Sequence, residues 1–235
     1  MNAYAALVTV HVLLLVFWLG TDMGVFFGSF RLRDPRLSVE ARLAIARLTS
    51  LLDMGPRTGV ILSVPTGLTL AYAGGWARQE LLGPAVLAVV WVASFVWLGL
   101  VWRYFLIQQR AATGTLPAGD AAFLRFWKRF DVWWRAMFAT AIGLATVGAI
   151  LGRGLLGAVW LDWKVALFGF VLVCGVGIRL AADDLPLAMG ELARSGSTPE
   201  REGRIARALG RAYPWVIAIY LTVVAMAYLS FAKPA

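Results

Sequence analysis

Residues Tyr4 to Phe30 read YAALVTVHVLLLVFWLGTDMGVFFGSF. Two ionisable side chains, His11 and Asp22, interrupt an otherwise apolar or small-residue run. A helix rises 1.5 Å per residue, so about 20 apolar residues cross a hydrocarbon core roughly 30 Å thick. The segment is long enough to span, and its composition leaves it no aqueous surface. It reads as a transmembrane helix, and that reading extends outward to the rest of the chain.

The 235 residues are 60% hydrophobic, with mean hydropathy +0.75, a balance outside that of soluble domains. Six runs have the length and character of spans: about 4–30, 56–74, 84–106, 132–151, 155–178 and 213–231. The expected fold is an all-α polytopic membrane bundle of six transmembrane helices, one integral membrane domain over 1–235. Arg31 and Arg33 follow the first run instead of preceding it. That order marks a retained span with its N-terminus outside, not a cleaved signal.

The net charge of +9 excludes little until its placement is read. Arg31, Arg33, Arg36, Arg42, Arg47 and Arg57 fall between spans 1 and 2 or at their edges. Arg103, Arg110, Arg125, Lys128, Arg129 and Arg135 fall around the loop between spans 3 and 4. Arg179, Arg194, Arg201, Arg204, Arg207 and Arg211 follow span 5. Only Arg78, Arg153, Lys164 and Lys233 of the 22 basic residues fall on the other side. By the positive-inside rule the three clusters are cytoplasmic and both termini lie outside, the expected setting being a bacterial inner membrane. The charges answer to a lipid surface, and no basic and aromatic motif of a nucleic-acid module accompanies them.

The loops between spans have their own helix signals. Ser38 opens a segment that runs through Leu51 into span 2. Asp120 reads as an N-cap for a helix bearing Phe123, Trp127, Phe130 and Trp134 at helical spacing. Thr198-Pro199-Glu200 combines a cap, a first-turn proline and a favourable acid. Turn residues mark Thr113 to Gly119 and Ser195 to Thr198 as connections.

Chemistry has few places to reside. Cys174 and His11 are the only cysteine and histidine, so an internal disulfide and a Cys/His zinc cage are both excluded. Intramembrane ionisable groups are costly, so each is either functional or a buried group satisfied by neighbouring helices. His11 and Asp22 are eleven residues apart, which returns to within roughly 20° of one helical face about 16 Å along the axis. Trp18 lies on the same stripe. The opposite face carries Gly20, Gly24 and Gly28, a repeated GxxxG seam that admits a close helix neighbour, in this chain or in a second subunit.

Asp53 with Arg57, and Asp131 with Arg135, are i,i+4 pairs at the basic ends of spans 2 and 4. They form local salt bridges, or their arginines face inward toward an anionic group. Ser63-Val64-Pro65-Thr66-Gly67 marks a kink in span 2. Of the eleven tryptophans, Trp76, Trp102, Trp133, Trp134, Trp160, Trp163 and Trp215 fall near span ends, as an interfacial belt requires.

The stretch from His11 to Gly20, with Trp18 seven residues after the histidine, resembles the first span of the copper-resistance D family and of the HemJ-type protoporphyrinogen oxidases. The likeness covers about twenty residues. The HemJ-type likeness implies a haem b held by a histidine, carried over here to His11 alone. Trp18 on the same stripe, and Arg57 and Arg135 if they face inward to the haem carboxylates, complete the expected cofactor-binding residues. The only metal site so implied is His11 as a haem ligand. The chain departs from those families in lacking a second histidine and in its greater number of spans.

Three expectations follow in order. The first is a haem- or porphyrin-associated redox protein, a haem-dependent oxidoreductase. The second is a transporter or channel-like carrier with His11 and Asp22 along its proton or ion path. The third is a non-catalytic subunit of a homo-oligomer or larger membrane complex, joined through span 1.

Overall fold

The computed structural model describes residues 2–111, 117–148, 150 and 156–233. Eight helices occupy these residues: α1 (Ala3–Leu32), α2 (Val39–Leu52), α3 (Met54–Ala73), α4 (Pro84–Ala111), α5 (Ala118–Gly148), α6 (Val159–Ala181), α7 (Leu185–Ser195) and α8 (Pro199–Ala232). The described residues form no strand, only an isolated antiparallel bridge between Ala77 and Gly157. The stretches Ala3–Leu32, Pro84–Ala111, Val159–Ser195 and Pro199–Ala232 are long and apolar enough to cross a membrane. The chain is therefore an all-helical integral membrane protein. The other two long helices, α3 and α5, contain more polar residues, among them Arg57, Ser63, Thr66, Asp131 and Arg135.

Helix starts follow side-chain chemistry. Asn2 accepts from the Tyr4 amide at 3.1 Å, Ser38 from Ala41 at 3.2 Å and Thr198 from Arg201 at 3.4 Å. Each side chain satisfies a first-turn N–H that has no intrahelical acceptor. The expected caps at Ser38 and Thr198 thus form, and α2 gives way to α3 after a single turn residue, Asp53. Asp120 lies inside the first turn of α5, which starts two residues earlier at Ala118. There its charge still favours the helix N-terminus. The helices expected at Asp120 and Thr198 are continuous with the spans that follow, and α8 runs on through Pro214. Helix α3 runs unbroken through Pro65. Residues 112–116, 149 and 151–155 lie outside the described residues. They include most of the Thr113–Gly119 connection, the end of the expected fourth span and the start of the fifth.

The six long helices pack in a closed order. Helix α1 lies on α3, α3 on α4, α4 on α5, α5 on α6, α6 on α8, and α8 returns to α1. The α6–α8 and α1–α3 packings are the most extensive, and the α4–α5 and α8–α1 seams are the thinnest. The short helices α2 and α7 lie together at the arginine-rich end. Val12, Leu13, Phe17, Val89, Val92, Leu221 and Val224 are exposed on the outside of the ring, as a lipid-facing surface requires.

Both ends are tied. At the arginine-rich end Arg42 is 1% exposed. Its Nε donates to the Leu32 carbonyl at 2.9 Å, satisfying an orphan acceptor at the end of α1. Its Nη1 and Nη2 grip Glu202 at 2.6 and 2.9 Å, a bidentate pair joining α2 to α8. The Arg42 hydrogen bond, aided by Ser197, holds the Glu202 carboxyl below its ordinary range. Arg204 likewise bridges Asp184 and Glu191, and its hydrogen bonds depress Asp184.

At the other end, where both termini lie, the Arg78 amide donates to the Leu156 carbonyl and Lys233 sits 4.4 Å over the Trp76 ring. Gly157 has φ 109°, and a Cβ there would lie 2.8 Å from the Trp76 carbonyl oxygen, so both conformation and space require glycine.

Candidate functional site

Most helix hydroxyls in this bundle follow one rule: the single proton goes to the carbonyl four residues earlier, which leaves the oxygen to accept. Thr66, 1% exposed on α3, donates to Leu62 at 2.7 Å. The His11 Nδ1 lies 2.7 Å from the same oxygen. With the threonine proton committed, Nδ1 must be the donor. The neutral ring is then the Nδ1–H tautomer, and Nε2 carries a lone pair. Gly67 makes room for it, since a Cβ there would stand 3.3 Å from His11 Cε1.

Ser230 on α8 repeats the rule. It donates to the Met226 carbonyl at 2.9 Å and accepts from Lys164 Nζ of α6 at 2.6 Å. Lys164 is close enough to act electrostatically on His11. Four helices therefore contribute to a polar layer toward the terminus end of the ring: His11, Thr66, Lys164 and Ser230.

An apolar layer follows. Trp18 is 4% exposed and clusters with Val171, Cys174, Ile219 and Val223, with Val60 packed against them. A Cβ at Gly59 would meet Trp18 Cβ at 2.7 Å, so this glycine lets α1 and α3 touch at the tryptophan.

A second polar layer lies beyond it, toward the arginine-rich end. Asp22 of α1 faces Tyr220 of α8. The buried Tyr220 hydroxyl has no partner of ordinary hydrogen-bond geometry among the described residues. Asp53 acts electrostatically on Asp22 and accepts from Arg57 Nε at 2.8 Å. Asp131, 2% exposed, joins two helices: Arg135 Nε donates to it at 3.1 Å, and Arg179 Nη1 of α6 binds its other oxygen. Asp131 and Tyr104 of α4 both act on Arg57, which links the two ion pairs. Every long helix thus adds a group to this layer. Asp53 pairs with Arg57 and Asp131 with Arg135 and Arg179, while Asp22 makes no ion pair among the described residues.

The expected site residues are distributed as follows. His11 and Asp22 both point at neighbouring helices, one in each polar layer, with Trp18 packed between them. Arg57 and Arg135 belong to the second layer, but each is engaged by the carboxylate four residues before it. Among the glycines, a Cβ at Gly24 would lie 2.9 Å from Leu52 Cδ1, and one at Gly28 would collide with Thr49 Cγ2, so this face packs on α2 of the same chain. Gly20 has open space around it. The tightest approach of α1 to α3 uses Gly55 and Gly59, against Thr21 and Trp18. That pair is itself a GxxxG pattern that sequence reading passed over. Of the tryptophan belt, Trp133 is 76% exposed while Trp160 is buried against Trp76.

Thr66, Lys164, Arg179, Ser230 and Tyr220 were also missed. Lys164 was legible in principle, as a lone cation well inside an apolar run.

Among the described residues no three His, Cys, Asp or Glu side chains gather in a way that could hold a metal ion. His11 fits a haem iron by its free Nε2 and its oriented Nδ1–H, the usual arrangement of a ligating histidine. The two arginines fit that group less well, because Asp53 and Asp131 already neutralise them. No known protein family, no curated protein and no solved structure matches the chain.

Proposed function

We propose that the chain is a carrier of a bacterial inner membrane, moving a proton or small ion between the two polar layers. In this reading all six long helices span and both termini lie outside. Eighteen of the 22 basic residues then lie toward the cytoplasmic side, and α3 and α5 cross with their polar faces turned into the ring. The observation that carries the proposal is the stacking of layers: ionisable groups on inward faces at two depths, separated by the Trp18 cluster. Intramembrane ionisable residues cluster along ion and proton paths, and an apolar constriction acts as a barrier by excluding water. His11, Lys164 and Asp22 are the groups that take and release the proton, and Trp18 closes the path between them.

The test is flux. Purified protein in vesicles should dissipate a pH gradient faster than empty vesicles, and both Asp22→Asn and His11→Ala should return the rate to that of empty vesicles. Wild-type vesicles no leakier than empty ones overturn the proposal, as does a reporter placing the C-terminus in the cytoplasm.

The free Nε2 of His11 favours one second reading, a haem-associated redox protein. A bound haem would supply one-electron chemistry, with His11 as its ligand and Thr66 orienting the ring. Visible absorbance separates the two: a Soret band that His11→Ala removes selects haem, and colourless active protein selects the carrier.

A further inference from the structure

A groove of about 370 Å³ runs along the outside of the α4–α5 seam, toward the arginine-rich end. Gly99, Trp102, Arg103, Leu106 and Arg110 line it from α4, and Asp120 closes it from the first turn of α5. The α4 positions fall at i, i+3, i+4, i+7 and i+11, a single helical face about 16 Å long. From the bilayer outward this face changes character. Gly99 has nothing within 4 Å of where its Cβ would stand, which leaves an open notch in the apolar part. Leu106 is exposed, and Trp102 is exposed beside Arg103. Arg110 and Asp120 stand at the outer end.

Arg103 makes no ion pair among the described residues, and its guanidinium lies over the Phe123 ring at 4.6 Å. A cation held over an aromatic face keeps its in-plane N–H donors turned outward for an anion. Two arginines, one carboxylate and an apolar trough in that order match a molecule carrying a phosphodiester, an ammonium and an acyl chain. Basic pockets beside transmembrane helices bind lipid headgroups in this way, with tryptophan at headgroup level.

We propose that this groove is a specific site for one aminophospholipid, of the phosphatidylethanolamine type. Its phosphodiester sits between Arg103 and Arg110, its ammonium faces Asp120, and one acyl chain passes Leu106 to fill the notch at Gly99. The site is independent of the carrier reading, because it lies on the outer surface of the ring and uses none of the groups in the two polar layers.

Native mass spectrometry of the full chain in detergent, with an equimolar mixture of phosphatidylethanolamine, phosphatidylglycerol and phosphatidylcholine, tests it. Phosphatidylethanolamine should be the most abundant retained lipid. The Arg103→Gln, Arg110→Gln double variant should weaken that retention about thirtyfold, as expected for two arginines near a headgroup. Asp120→Asn should shift the preference toward phosphatidylglycerol, and the exposed Arg125→Gln should change nothing. Displacement of the lipid by millimolar inorganic phosphate would show a bare anion site and overturn the proposal. So would phosphatidylglycerol as the preferred lipid of the wild type, or unchanged retention in the double variant.

Discussion

The two polar layers solve the same problem differently. Toward the arginine-rich end, the second layer is ionic and self-neutralised, with Asp131 shared by Arg135 and Arg179 and Asp53 paired with Arg57. Toward the terminus end, the first layer is built from a neutral imidazole, two hydroxyls and one ammonium, and Lys164 makes no ion pair among the described residues. In a low-dielectric interior a charge is tolerated when a fixed counter-charge meets it, and an unpaired one stays costly. The second layer is therefore a structural joint as well as a charge reservoir. The first layer is a place where a proton or ligand can change the energy of the bundle, as Asp22 is in the second, because no ion pair holds Lys164 or Asp22 among the described residues.

Three substitutions break or sharpen this contrast. Asp131→Asn should have the largest effect, because it leaves the partly buried Arg135 and Arg179 against a neutral amide. Removing one partner of a buried pair costs about 3–5 kcal/mol, and reversible SDS unfolding should register most of it. A loss below about 1 kcal/mol would show that Asp131 is not the main counter-charge of the two arginines. His11→Ala should cost less, about 1 kcal/mol, since a single neutral hydrogen bond to Thr66 is lost and the threonine proton remains on Leu62. A loss as large as that of Asp131→Asn would make the first layer a structural joint too.

Lys164→Met should have the smallest effect, neutral or stabilising by about 1 kcal/mol, because an apolar side chain of similar length replaces an ammonium that, among the described residues, only Ser230 holds. Clear destabilisation by Lys164→Met would reveal a counter-charge for the lysine and remove the difference between the layers.

The glycine seam shows how far face arithmetic reaches. Gly20, Gly24 and Gly28 share one stripe of α1, and helical periodicity places them opposite His11. Periodicity does not say which helix lies there or how far the contact extends. The structure puts α2 against Gly24 and Gly28, and leaves Gly20 open because α2 ends at Leu52, short of its level. The same limit applies to Arg42. In the sequence it is one of many cytoplasmic arginines, and 160 residues separate it from Glu202. Its burial and its bidentate pair come from the meeting of α2 with α8, which no local pattern encodes.

The sequence by itself determined the helical membrane class, the starts of α2 and α8, and His11 and Asp22 as ionisable groups inside the bundle. Hydropathy, helical period and capping chemistry act over a few residues to a few turns, so they are written along the chain. The tertiary structure alone decided that Thr66 sets the His11 tautomer, that Lys164 and Ser230 join the same layer, and that Asp131 binds Arg179 as well as Arg135. Those choices depend on which helices become neighbours. Neighbour choice is settled by the packing of glycine and tryptophan surfaces summed over whole helices, and no single stretch of sequence holds that sum.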